Sequence, residues 1–113
     1  LDGLDRVEHL DLEPFWAEGK AVAALFGDRT PCSSTKGATG HTLGAAGALE
    51  AVISALALQH DFIPAGINTG ECDPAIAIDY INAPRAARNP VNCAITNSFG
   101  FGGTNGSLVF ARI

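Results

Sequence analysis

The first twelve residues mix acidic side chains with scattered leucines at no sustained period, and residues 1–12 read as an entry segment ahead of a domain spanning 13–113. Glu13-Pro14 supplies a helix start, because proline has no N–H to lose in a first turn. Phe15, Val22, Leu25 and Phe26 then fall on one helical face, and Gly27 stops the helix. Pro31–Thr35 predicts a short strand running into a loop. The segment LGAAGALEAVISALALQ, Leu43 to Gln59, predicts a long helix that is apolar nearly all the way round, with Glu50 as its only charge. Such a helix is expected to be buried on several sides. Residues 60–74 read as loop, punctuated by Pro64, Gly66, Gly70 and Pro74. Ala75–Ile81 alternates Ile76, Ile78 and Tyr80 against Ala77 and Asp79, a strand pattern. Val91–Asn97 and Ser107–Arg112 are two further strands, joined by the glycine-dense SFGFGGTNG. Helices alternating with strands give an α/β fold. A tight connection between the closing strands makes them antiparallel.

The chemistry concentrates around Lys36, His41 and Glu50. Lys36 and His41 lie in a Gly/Thr-rich stretch before the apolar helix, whose N-terminus offers free backbone N–H groups and partial positive charge. A histidine there is expected to stay neutral, so that its N–H can donate to a developing oxyanion. Glu50 is costly on an apolar helix unless paired, and Lys36 is the nearest opposite charge in sequence. Taken singly, a histidine near a helix start is more often a cap, and a lone lysine is usually just solvated.

Composition narrows the class. Hydrophobic residues make up 47% of the chain and charged residues 17%, below the ~25% usual for soluble domains. That balance excludes disorder and hints at surface meant for a larger assembly. The net charge of −5, without a Lys/Arg run, disfavours nucleic acid and anionic membranes as partners. No apolar run is expected to reach membrane-spanning length. Three widely spaced cysteines, Cys32, Cys72 and Cys93, suit free thiols in a reducing cytoplasm. The chain opens on Leu1 and not on Met, so residues upstream are expected either to have been removed or to lie outside it. Gly100, Gly102, Gly103 and Gly106 do not form a nucleotide loop: Asn105 stands where G-x-G-x-x-G needs its last glycine, and the Lys-Ser/Thr of a P-loop is missing. No Cys/His spacing matches zinc.

The run SSTKGATGHTLGAAGALE resembles the lysine–histidine motif of the β-ketoacyl-acyl carrier protein synthases, and NSFGFGGTNGSLVF resembles that family's C-terminal motif. The resemblance covers Phe15 to Ile113 and implies an α/β architecture: the C-terminal half of a thiolase-like fold, with layered helices and mixed sheet. It implies decarboxylative Claisen condensation of malonyl-ACP with an acyl thioester. His41 matches the second of two histidines that hold the malonyl thioester oxygen. Lys36 matches the motif lysine, and Glu50 its acidic partner. Phe101 matches a gating phenylalanine whose backbone N–H joins the oxyanion hole, with Phe99 packing beside it. Thr104 and Asn105 would hold that loop by side-chain to backbone hydrogen bonds. Acyl- and malonyl-loaded acyl carrier protein, an N-terminal half and a second copy in a homodimer are the implied partners; no cofactor or metal is implied.

The family's nucleophilic cysteine and its H-G-T-x-T histidine are both missing. Cys32 runs straight into the lysine motif and reads as structural, Cys72 and Cys93 read as ordinary thiols, His9 is followed by Leu-Asp, and His60 ends a helix. Alone, the chain is expected to be inactive and to expose an apolar patch. A chain-length-factor-like subunit and a polyketide synthase condensing domain are the alternatives. The short tail favours a stand-alone synthase.

Overall fold

The computed structural model describes residues 17–68, 70, 73–100 and 102–113. The expected entry segment, the Glu13-Pro14 start and Phe15 lie outside these residues. The described chain forms two compact units. One comprises the residues up to Cys32 together with Gly70–Tyr80; the other begins at Ser33 and resumes at Ile81–Ile113.

In the first unit, residues 17–26 are helical (α1). Gly27 ends α1 as expected, with φ +67° and its N–H on the Ala23 carbonyl at 2.9 Å. Val22 is half-buried, but Leu25 and Phe26 are exposed, so the expected apolar face is covered only in part. Gly19 is the buried position of α1: a Cβ there would come within 2.7 Å of Ile76 Cγ2. Strand β1, Pro31–Cys32, pairs in parallel with a second short strand, Asp79–Tyr80. The strand expected over 75–81 shrinks to those two residues. Asp73 Oδ1 takes the Ala75 N–H at 2.8 Å and its carbonyl takes the Ile76 N–H at 3.1 Å. An Asx turn thus consumes the donors a strand would need.

The second unit carries α2 (Lys36–Thr39), a 3-10 turn (Leu43–Ala45), α3 (Ala46–His60), β2 (Phe62–Ile63), β4 (Arg85–Ala86), β5 (Cys93–Phe99) and β6 (Asn105–Ala111), with Asp79–Tyr80 counted as β3. The antiparallel β2–β4 pair falls partly in the expected 60–74 loop, where two residues are too few to leave a period in the sequence. β5 and β6 pair antiparallel from Cys93↔Ala111 to Phe99↔Asn105. The expected strands ended earlier; the ladder runs on through Ser98↔Gly106, so Asn105 belongs to β6 and not to the loop.

Among the described apolar residues, only Ala57, Leu58, Ala65 and Ile81 are buried, Ile81 at 1% exposure. Helix α3 packs on β5, yet Val52 and Leu56 are exposed, as are Ile95, Leu108 and Val109 of the hairpin. The expectation of burial on several sides is therefore not met within this chain, and the exposed apolar side chains are spread over α3 and both faces of the hairpin. The 3-10 turn adds to α3 a continuous stretch, Leu43–His60, that is long and apolar enough by length and composition to cross a membrane. That corrects the expectation that no run reaches this length. The ion-paired Glu50 midway along it, and its packing on β5, fit a core helix instead.

Arg112 closes the unit. It donates from Nη2 to the Leu58 carbonyl, to Asp61 Oδ1 at 2.7 Å and to the Val91 carbonyl at 3.2 Å; Val91 N–H in turn meets Asp61 Oδ1 at 2.7 Å. Asp61 caps α3 in the left-handed region, φ +50°. The guanidinium thus serves a carbonyl left open at a helix C-terminus. Arg112→Ala is expected to lower unfolding free energy by about 1–2 kcal/mol, read as a shift in urea midpoint. Arg112→Lys should recover less than half, since an ammonium cannot span the same fork.

Candidate active-site segment

Lys36 opens α2 and does not sit in a loop. The Thr35 carbonyl accepts the Ala38 and Thr39 N–H groups at 3.0 and 3.1 Å, and the Gly40 N–H caps the turn on the Lys36 carbonyl at 2.9 Å. Gly40 then takes φ +71°, ψ 173°, a conformation nearly restricted to glycine. Gly40→Ala should therefore cost about 1–3 kcal/mol in strain even though no atom crowds its Cβ position. Thermal melting checks that figure.

His41 follows, exposed, with Nδ1 accepting the Leu43 N–H at 3.1 Å. An imidazole nitrogen that accepts carries no proton, so the neutral ring holds its hydrogen on Nε2. The donor comes from the start of the 3-10 turn, where backbone N–H groups lack helical partners. Leu43 pays for this position with φ +53°, unusual for a bulky side chain.

Glu50 gathers three elements. One carboxylate oxygen, Oε1, is ion-paired with Lys36 Nζ of α2; the other accepts Thr96 Oγ1 of β5 at 3.4 Å. Glu50 is 16% exposed and Lys36 37%. The pairing expected from sequence is present, and Thr96 is a third member that the sequence did not announce. Gly47, one turn earlier, faces Ser98 Oγ at ordinary contact distance from its Cβ position, which lets α3 lie close to β5.

Phe101 lies outside the described residues. Around it, the turn is closed by the Gly100 N–H on the Thr104 carbonyl at 2.6 Å, with Gly102 and Gly103 at φ +93° and +91°. Thr104 thus engages through its main chain, and Asn105 pairs opposite Phe99 in the ladder. Phe99 was expected to pack but is exposed. Cys32 lies in β1 with its thiol toward the Asp79 carbonyl at 3.6 Å, and Cys93 is exposed at the start of β5. His60 ends α3 as expected. Cys72 and His9 lie outside the described residues. Among those described, no group of three or more His, Cys, Asp or Glu side chains could hold a metal ion.

Residues 16–70, which contain Lys36, His41 and Glu50, match the family model "Beta-ketoacyl synthase, C-terminal domain". The chain is 46% identical over 100 residues to 3-oxoacyl-[acyl-carrier-protein] synthase 2 of Coxiella burnetii, covering 85% of this chain and 24% of that protein. It is 45% identical over 94 residues to 3-oxoacyl-[acyl-carrier-protein] synthase 1 of Escherichia coli K12, covering 82% of this chain and 23% of that protein. Among solved structures, a β-ketoacyl synthase from Burkholderia phymatum superposes with a TM-score of 0.78 at 42% identity, over 86% of this chain and 24% of the other. The ishigamide ketosynthase/chain length factor superposes with a TM-score of 0.74 at 36% identity, over 85% and 24%.

The chain belongs to the β-ketoacyl synthase family, as its C-terminal part, and its fold is the α/β, thiolase-like fold of that family. It spans about a quarter of the length of the curated relatives it matches.

Proposed function

We propose that this chain supplies the oxyanion-holding histidine of a 3-oxoacyl-ACP synthase, an acyltransferase of fatty acid synthesis. The observation that carries the reading is the Leu43 N–H on His41 Nδ1, which leaves Nε2–H as the donor. In the reaction, the bond between the malonyl α-carbon and its carboxylate breaks and carbon dioxide leaves. The electron pair moves toward the thioester carbonyl, where Nε2–H of His41 meets the growing negative charge. The α-carbon then attacks an acyl group held as a thioester on a cysteine, and the cysteine leaves as thiolate. That cysteine and a first histidine would come from the remainder of a synthase, which would also cover the apolar faces of α3 and the hairpin. Lys36 adds positive charge to the site and, through Glu50, holds the segment that carries His41. Phe101 would gate the acyl chain and lend its backbone N–H, with Thr104 and Asn105 bracing its turn.

On this reading 13–113 is one incomplete domain. The partners are acyl and malonyl groups on acyl carrier protein, and the complete enzyme is a cytoplasmic homodimer. A chain-length-factor-like subunit is the second reading, favoured only by the similarity to the ishigamide protein. A subunit of that kind has no need of an oxyanion donor, which His41 offers.

Grafting provides the test. The matching C-terminal residues of the Coxiella synthase are replaced by this chain, and condensation of malonyl-ACP with acyl-ACP is measured. A folded graft that condenses supports the reading; a folded graft without activity refutes it.

A further inference from the structure

We propose that Asn68 is a positioning residue for His41, acting through α2. This inference rests on the function proposed above. The segment from Pro64 to Asn68 runs beside Ser33–Gly37 and is laced to it at both ends. Ser33 Oγ donates to the Pro64 carbonyl at 2.6 Å, and Asn68 Nδ2 donates to the Gly37 carbonyl at 2.8 Å, across 31 residues of sequence in each case. Between these bonds Gly37 lies directly on the Ile67 carbonyl, so close that a Cβ at Gly37 would collide with that oxygen. Asn68 holds φ +59°, a left-handed conformation that asparagine tolerates better than other non-glycine residues.

The segment is itself fixed from behind. Gly66 N–H donates to the Ile81 carbonyl at 2.8 Å, Ala65 is buried, and Ile81 is the most fully buried side chain of the described residues. A continuous path therefore runs from the core at Ile81, through Gly66 and Asn68, to the carbonyl of the second residue of α2. Lys36 is the first residue of that helix, and His41 follows it by way of Gly40. The ion pair with Glu50 holds the Lys36 side chain; Asn68 holds the backbone beneath it. A shift of α2 would be passed to His41, and misplacement by about 1 Å is enough to cost about 10²-fold in rate.

The variants are made in the active graft. Asn68→Asp keeps size and tolerance of the left-handed region but sets a carboxylate against the Gly37 carbonyl. Asn68→Gly keeps the backbone conformation and removes only the donor. Gly37→Ala disturbs the same junction from the other side, by driving a Cβ into the Ile67 carbonyl. The readouts are acyl transfer to the enzyme and malonyl-ACP decarboxylation, measured separately, with the melting temperature. The expected result is at least a 10-fold loss of decarboxylation kcat in Asn68→Asp and Gly37→Ala, a smaller loss in Asn68→Gly, and acyl transfer within twofold of the parent. The double variant should lose little more than either single one, because both open the one junction between Ile67–Asn68 and Gly37. Unchanged decarboxylation in Asn68→Asp overturns the proposal, as does a loss of both half-reactions in step with melting. An inactive parent graft instead refutes the underlying function.

Discussion

His41→Ala in an active graft is expected to lower the rate of malonyl-ACP decarboxylation by about 10²–10³-fold, the usual cost of removing one oxyanion donor. Acyl transfer to the cysteine should change far less, because it does not build charge on the malonyl oxygen. The size follows from what the ring is placed to do. Its Nδ1 is committed to Leu43 N–H at 3.1 Å, so the substrate is offered an N–H and not a lone pair. His41→Gln can place an amide N–H in the same region and should retain part of the rate; His41→Phe fills the space without a donor and should behave like Ala. Separate measurement of the two half-reactions checks this ordering. Equal loss in both would mean that the ring serves folding and not charge.

Glu50→Ala carries the second large effect, expected at about 10²-fold on the same step. Coulomb energy alone does not give that figure. Lys36 is 37% exposed, and an ion pair so open to water contributes less than about 1 kcal/mol, or about fivefold. The larger loss comes from displacement: without the Glu50 carboxylate, Lys36 no longer ties α2 to α3, and Thr96 Oγ1 of β5 loses its acceptor. Glu50→Gln still offers an oxygen to Lys36 and should be milder, with weaker ordering of residues 36–41 in its structure. Exchanging the charges, Lys36→Glu with Glu50→Lys, restores attraction but moves the ammonium onto α3. Recovery of stability without recovery of rate is the expected outcome. Recovery of both would assign Lys36 a purely structural part.

Much of this site was legible because its clues are chemical and local. One carboxylate in an apolar helix demands a partner, and Lys36 with Glu50 supplies it. The long helix and the closing antiparallel pair leave strong periods over many residues. Of the two-residue strands, β1 and β3 fall inside expected strands, whereas β2 and β4 leave no period, since each is too short to show one and pairs with a partner two dozen residues away. The strand expected over 75–81 failed because Asp73 turned the backbone on itself. Thr96 and Asn68 escaped notice for the same reason: each acts through one tertiary contact, across 46 and 31 residues. The only sequence signal at Asn68 is an asparagine among loop residues, which is common. Burial of α3 was overestimated because an all-round apolar helix says how much cover it needs, not which chain provides it.

A structure of the active graft with a non-hydrolysable malonyl thioester analogue gives the most direct test. The thioester oxygen should lie within hydrogen-bond reach, about 3 Å, of His41 Nε2, with Nδ1 still facing Leu43 N–H. An analogue bound with that oxygen away from the ring, or a ring turned so that Nδ1 meets it, would contradict the role given to His41.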